Sequence, residues 1–166
     1  GVVDPLSGRL SEAIPWLPQQ LNQNGYYCVG VASSPVLSRR HGLARGFDVY
    51  DDYSVLFAAE VKVTGSRREL GGTNTVVTGW DTLACAKELV RKAANQTGPV
   101  FLFVHLFDPH DDYVAPAPFR GRFSGMSLQR TTGRGVPLLR QAPPPQGELD
   151  LLKACYGEEV AFTDAI

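Results

Sequence analysis

The 166-residue sequence predicts an α/β fold with a central, mainly parallel sheet flanked by helices. Two stretches predict it most directly. Residues 100–107, Val-Phe-Leu-Phe-Val-His-Leu-Phe, form an apolar run broken only by His105, and its β-branched and aromatic content suits a central strand buried on both faces. Residues 80–94 precede it, with Leu83, Ala86, Leu89, Val90 and Ala93 on one helical side and Lys87, Arg91 and Lys92 on the other. A helix that feeds directly into a buried strand is the repeating unit of a parallel sheet with crossover connections.

The rest of the chain extends this alternation. Residues 12–24 space Ile14, Leu17 and Leu21 as a helix would; Pro15 is tolerable in a first turn, Pro18 shortens or delays the helix, and Gly25 caps its end. Residues 26–32, Tyr-Tyr-Cys-Val-Gly-Val-Ala, read as a strand that ends in a turn at Ser33-Ser34-Pro35. Residues 53–78 fit helix or strand equally, apart from a loop at Gly71-Gly-Thr-Asn. Residues 148–166 open as a helix with Leu149, Leu152 and Cys155 on one side, and Gly157 weakens its centre.

Charge excludes one class of function. The 16 basic and 17 acidic residues leave no field that would argue for nucleic acid. Five arginines between residues 120 and 140 lie among Gly, Ser, Thr and Pro with a single aromatic, Phe123, between them, so residues 120–147 read as a polar loop insertion. Cys28, Cys85 and Cys155 are odd in number and widely spaced, which supports neither a zinc site nor a disulfide framework; Cys28 and Cys85 read as small buried hydrophobes. No run approaches the roughly 20 apolar residues of a membrane span, and residue 1 opens no signal peptide. Asn95-Gln-Thr97 has the glycosylation pattern, which matters only in a secreted protein. There is no Gly-rich phosphate loop, no GxSxG elbow, no HExxH and no internal repeat.

Chemistry concentrates after the apolar run. Residues 101–113 hold two imidazoles and three carboxylates. His105, inside the run, reads as a hydrogen-bonded core residue. His110 follows Pro109, which stops the strand, and an imidazole on such a loop can hydrogen-bond an anionic substrate or protonate a leaving oxygen. Asp111 and Asp112 read as turn residues. His41, after Arg39-Arg40, reads as part of an exposed charged turn.

Several blocks, in order, resemble a sulfatase of the alkaline phosphatase superfamily. They are Ile14-Pro-Trp-Leu-Pro-Gln-Gln-Leu-Asn-Gln-Asn-Gly-Tyr26, Val31-Ala-Ser-Ser-Pro-Val-Leu37 and Gly42-Leu-Ala-Arg-Gly-Phe-Asp-Val-Tyr-Asp-Asp52. Two more follow: Pro99-Val-Phe-Leu-Phe-Val-His-Leu-Phe-Asp-Pro-His-Asp-Asp-Tyr113 and Tyr156-Gly-Glu-Glu-Val-Ala-Phe-Thr-Asp164. Together they cover roughly half the chain. The resemblance implies an alkaline-phosphatase-like sandwich and a sulfuric ester hydrolase that uses a formylglycine nucleophile and Ca2+ or another divalent metal. The family's Cys/Ser-x-Pro-x-Arg nucleophile motif and its metal-binding carboxylates have no counterpart here. Residues 1–166 are therefore expected to be an internal fragment of a sulfatase domain, inactive alone, with the metal ligands outside this chain.

One functional residue carries over. The histidine of the family's Pro-His pair falls on His110, implying a catalytic and substrate-binding role against the sulfate and its leaving oxygen. Two departures stand out: residues 29–34 lack the Lys and His common in the family, and Asp112 replaces a common Pro. The implied partner is a sulfated small molecule or glycan, in a periplasmic, extracellular or membrane-associated setting. Phosphoryl, phosphonate or phosphoglycerol chemistry on the same scaffold is the alternative, and a non-catalytic structural or binding fragment is a third reading. The carboxylates of Gly46–Asp52 are expected to be structural.

Overall fold

The computed structural model describes residues 8–52, 68–69, 75–76, 78–110, 113–125 and 145–166. They fall into two compact units, within Gly1–Phe107 and Asp108–Ile166.

The first unit is built on three parallel strands: β1 (Tyr27–Ala32), β2 (Val49–Asp51) and a later strand, Val100–His105, in the order β2, β1, Val100–His105. Between β2 and that strand lie β3 (Arg68–Glu69) and β4 (Thr75–Val76), an antiparallel pair, so the strand Val100–His105 is β5. The other residues of the ambiguous 53–78 stretch, apart from Thr78, lie outside the described residues. The register sets Gly30 against Tyr50 and Phe103, and Ala32 against His105. Because side chains alternate along a strand, Cys28, Gly30 and Ala32 share one face with Tyr50, Phe101, Phe103 and His105. Val29, Val31, Asp51, Leu102 and Val104 share the other.

Helix α1 (Leu17–Gln23) covers the first face, where the Cys28 thiol donates to the Pro18 carbonyl at 3.5 Å. The helix starts five residues later than the spacing from residue 12 predicts. Pro18 lacks an amide proton and fits only the first turn, so the helix must begin beside it. On the same face the Phe47 ring meets Tyr50 at 5.0 Å, Phe101 at 6.2 Å and Phe103 at 6.4 Å. Gly30 makes that possible, since a Cβ there would lie 2.5 Å from Tyr50 Cδ2 and 2.9 Å from Phe47 Cε1. With Trp16, Leu37 and Leu43 these rings line an apolar cavity of ≈220 Å³.

Helix α2 (Gly79–Ala93) covers the second face. A capping box starts it: the Asp81 amide donates to Thr78 Oγ1 at 3.4 Å, and the Thr78 amide donates to Asp81 Oδ2 at 3.0 Å. Its buried stripe is Gly79, Thr82, Ala86 and Ala93. These small residues allow close approach to the sheet, whereas Val90 of the expected apolar side is exposed.

Strand β5 does not hold the central, doubly buried place that its apolar run predicts. Strand β1 is central and almost wholly buried, while β5 pairs only with β1 among the described strands and leaves Val100, Leu102 and Phe103 exposed. It also ends at His105, two residues before the end of the apolar run.

In the second unit, α3 (Gln146–Ala165) runs unbroken through Gly157. That glycine leaves room for the Phe123 ring, 3.3 Å from where its Cβ would stand. Phe162 of α3 packs on Phe119, and Tyr156 meets Tyr113 edge-on. Glu158, buried, accepts hydrogen bonds from the amides of Gly121 (2.9 Å), Phe123 (2.9 Å) and Ser124 (2.7 Å). Most of the expected loop insertion at 120–147, namely residues 126–144, lies outside the described residues.

Candidate functional site

Parallel strands deliver their carboxyl ends to one edge, where α/β proteins place ligands. Three chain segments meet at that edge of the first unit. Strand β1 runs into Ser33 and Ser34, β2 ends at Asp51 with Asp52 following, and β5 ends at His105. The Ser33 hydroxyl donates to the His105 carbonyl at 2.7 Å and its amide to the same oxygen at 3.3 Å, which locks the ends of β1 and β5 together.

The two aspartates behave differently. Asp52 is fully buried and accepts from the Ser38 hydroxyl (3.0 Å), the Arg39 amide (2.7 Å) and Arg39 Nε (3.3 Å). It is an anchor for the short helical turn Arg39–His41, in keeping with the structural role expected of that block. Asp51 accepts from the Cys85 thiol at 3.3 Å, and its other oxygen is buried without a partner among the described residues. Burial raises the Asp51 carboxyl above its ordinary range; the Cys85 bond and Arg39 lower it, and Asp52 adds to the rise. Burial, with Asp51 beside it, pushes the Cys85 thiol up to about 12, which makes it a poor nucleophile at neutral pH. Cys85 is thus half-buried against a carboxylate and not in an apolar core as its helical setting suggests.

His105 and Ser34 complete the edge. His105 is partly buried, and its Nδ1 has no partner among the described residues; burial lowers its affinity for a proton. A backbone hydrogen bond acts against that shift, and the ring is half-buried where the sequence suggests a fully internal residue. Ser34 is 1% exposed and its hydroxyl is likewise unpartnered among the described residues. Neither Ser34 nor Asp51 stands out in the sequence. The signal that could have found Ser34 is its place just past a strand's carboxyl end, which reads equally well as a turn.

His41 also departs from expectation. It is 6% exposed, its Nδ1 lies 2.8 Å from the Gly8 carbonyl and its Nε2 accepts from Arg40 Nε at 3.0 Å. An imidazole held at both nitrogens is a structural tie.

His110 belongs to the second unit. It lies exposed in the turn that follows Asp108 and Pro109, and Asp108 itself is buried. Asp111 and Asp112 are outside the described residues. Among the described residues no group of three or more His, Cys, Asp or Glu is placed to hold a metal ion. No described helix is long and apolar enough to cross a membrane.

No protein-family model matches the chain, and no curated protein matches it significantly. A solved structure does: the phosphonate monoester hydrolase of Agrobacterium radiobacter, with a TM-score of 0.56 at 18% identity over 97% of this chain. The fold is alkaline-phosphatase-like. The likeness is one of fold, and this chain spans 44% of that hydrolase's length. Within the alkaline-phosphatase-like fold, the carboxyl edge of β1, β2 and β5 carries Ser34 and His105 on neighbouring strand ends, with Asp51 on the opposite face toward Cys85.

Proposed function

We propose that this chain contributes part of the active site of a hydrolase that cleaves sulfate monoesters, with His110 serving the leaving oxygen. The observation that carries the reading is the exposed imidazole in the turn that follows β5, within an alkaline-phosphatase-like fold. As the sulfur–oxygen bond breaks, the departing alkoxide needs a proton. An imidazole can give it and so lower the barrier.

The nucleophile and the Ca2+ or other divalent metal that the family resemblance implies find no fitting ligands among the described residues, so no step is drawn through them. On this reading they belong to parts of the protein outside this chain. The likeness to a phosphonate monoester hydrolase favours a second reading, in which the same scaffold cleaves a phosphonate or phosphate monoester.

A substrate panel separates the two. The protein carrying this chain together with its nucleophile segment, assayed on matched aryl sulfate, phosphate and phosphonate esters, is expected to show its highest kcat/KM on the sulfate. A preference for the phosphonate replaces the first reading with the second, and turnover of none of the three rejects both.

A further inference from the structure

Ser34 and His105 are the least explained polar groups in the first unit. Buried hydroxyls and imidazole nitrogens nearly always find a partner, and one left without it points to a ligand or water that belongs there. Here two such groups sit on neighbouring strand ends. His105 pairs in register with Ala32, so Ser34 is two residues beyond that partner. Both hydrogen bonds of Ser33 to the His105 carbonyl fix the two chain ends side by side.

The surroundings favour an anion over a cation. Asp51 lies on the opposite face of the sheet, turned toward Cys85 of α2, and Asp52 has its oxygens engaged by Ser38 and Arg39. That leaves a hydroxyl and an imidazole, both able to donate. Neighbouring strands lie about 4.8 Å apart and Ser34 stands two residues beyond the partner of His105, so the gap between the two side chains is wider than the strand spacing, and a tetrahedral anion with a hydrogen bond on each side can fill it. Burial lowers the proton affinity of His105, more than a backbone hydrogen bond raises it, which suits a donor that binds an anion without forming an ion pair.

We propose that Ser34 and His105 form an oxyanion subsite at the carboxyl edge of the sheet, holding a non-bridging oxygen of a sulfate, phosphate or phosphonate ester. The inference rests on the hydrolase reading for its substrate class.

The test is an anion titration of the 166-residue chain, 15N-labelled at histidine, with inorganic phosphate and inorganic sulfate in separate experiments. The ring signals of His105 are expected to shift and saturate, while those of His41, held at both nitrogens, stay still. Ser34→Ala is expected to weaken the anion roughly tenfold, the effect of removing one hydrogen bond to a charged group. Should Ser34→Ala lose the wild-type amide spectrum, Ser34→Cys, which keeps the size and removes the strong donor, takes its place. A His105 signal that does not move, or a folded Ser34 variant that binds as tightly as wild type, overturns the subsite. Because binding and not turnover is read, a saturable His105 shift in a protein that hydrolyses no ester removes the hydrolase reading and keeps the subsite. Ester hydrolysis without the shift does the reverse.

Discussion

Replacing Glu158 with Gln is expected to cost the second unit about 2–4 kcal/mol, because one buried carboxylate satisfies three backbone amides at once. Gln offers a single acceptor oxygen and turns an NH2 group toward the amides that the second carboxylate oxygen served. Burial pushes the Glu158 carboxyl up, but the amides of Ser124, Phe123 and Gly121 more than offset it and hold it below its ordinary value of 4.5. For a carboxylate lowered in the folded state, the stabilisation is fully present above the unfolded value. It disappears as pH falls below 4.5 and through the lower folded value. Amide exchange at Gly121, Phe123 and Ser124 reads the effect locally. Faster exchange in the variant at neutral pH, converging on wild type in acid, is the expected pattern; equal exchange at pH 7 would contradict it.

Gly46→Ala is expected to cost about 3 kcal/mol or more in the first unit. Its φ is +81°, a region where a side chain costs roughly 1–2 kcal/mol. A methyl there would also drive into the backbone of α1, against the Gln19 nitrogen and Cα and 2.7 Å from the Pro18 carbonyl carbon. Backbone cannot move aside as a flexible side chain does, so overpacking adds about 1–3 kcal/mol. Gly25 supplies the control, with φ +85° and nothing within 4 Å of its would-be Cβ. Gly25→Ala should therefore cost only the conformational part. Both tryptophans, Trp16 and Trp80, lie in this unit, so urea unfolding followed by their fluorescence compares the two variants. Equal losses would show that the close approach of residues 46 and 19 is not tight. The site feels the same position, because Gly46 delivers Phe47 onto the β2 and β5 rings and Asp48 onto the Cys28 amide at 2.7 Å.

The same positions show how far the sequence reaches. Helix α2 and strand β5 are legible because their patterns are local: an amphipathic period, and an apolar run behind a proline. Which strand is central is not local. Strand β1 carries the less telling sequence, with a glycine at its heart, and only the rings of Phe47 and Tyr50, some 17 and 20 positions on, explain that glycine. His41 reads as exposed for a similar reason, since its burial depends on the carbonyl of Gly8, 33 residues away. Of the site, His110 is legible through its place after a strand and through the family resemblance. Ser34 is not, because an unpaired hydroxyl is a property of the folded surroundings.

The central claim is that the turn after β5 presents an imidazole to a leaving oxygen. The most direct measurement compares kcat/KM of wild type and His110→Ala, in the protein that includes the nucleophile segment, across sulfate esters of increasingly basic leaving groups. A general acid predicts a loss of roughly 100-fold or more for basic leaving groups, shrinking toward nothing for an activated ester that departs without a proton. An unchanged rate, or the same loss for every leaving group, would contradict it.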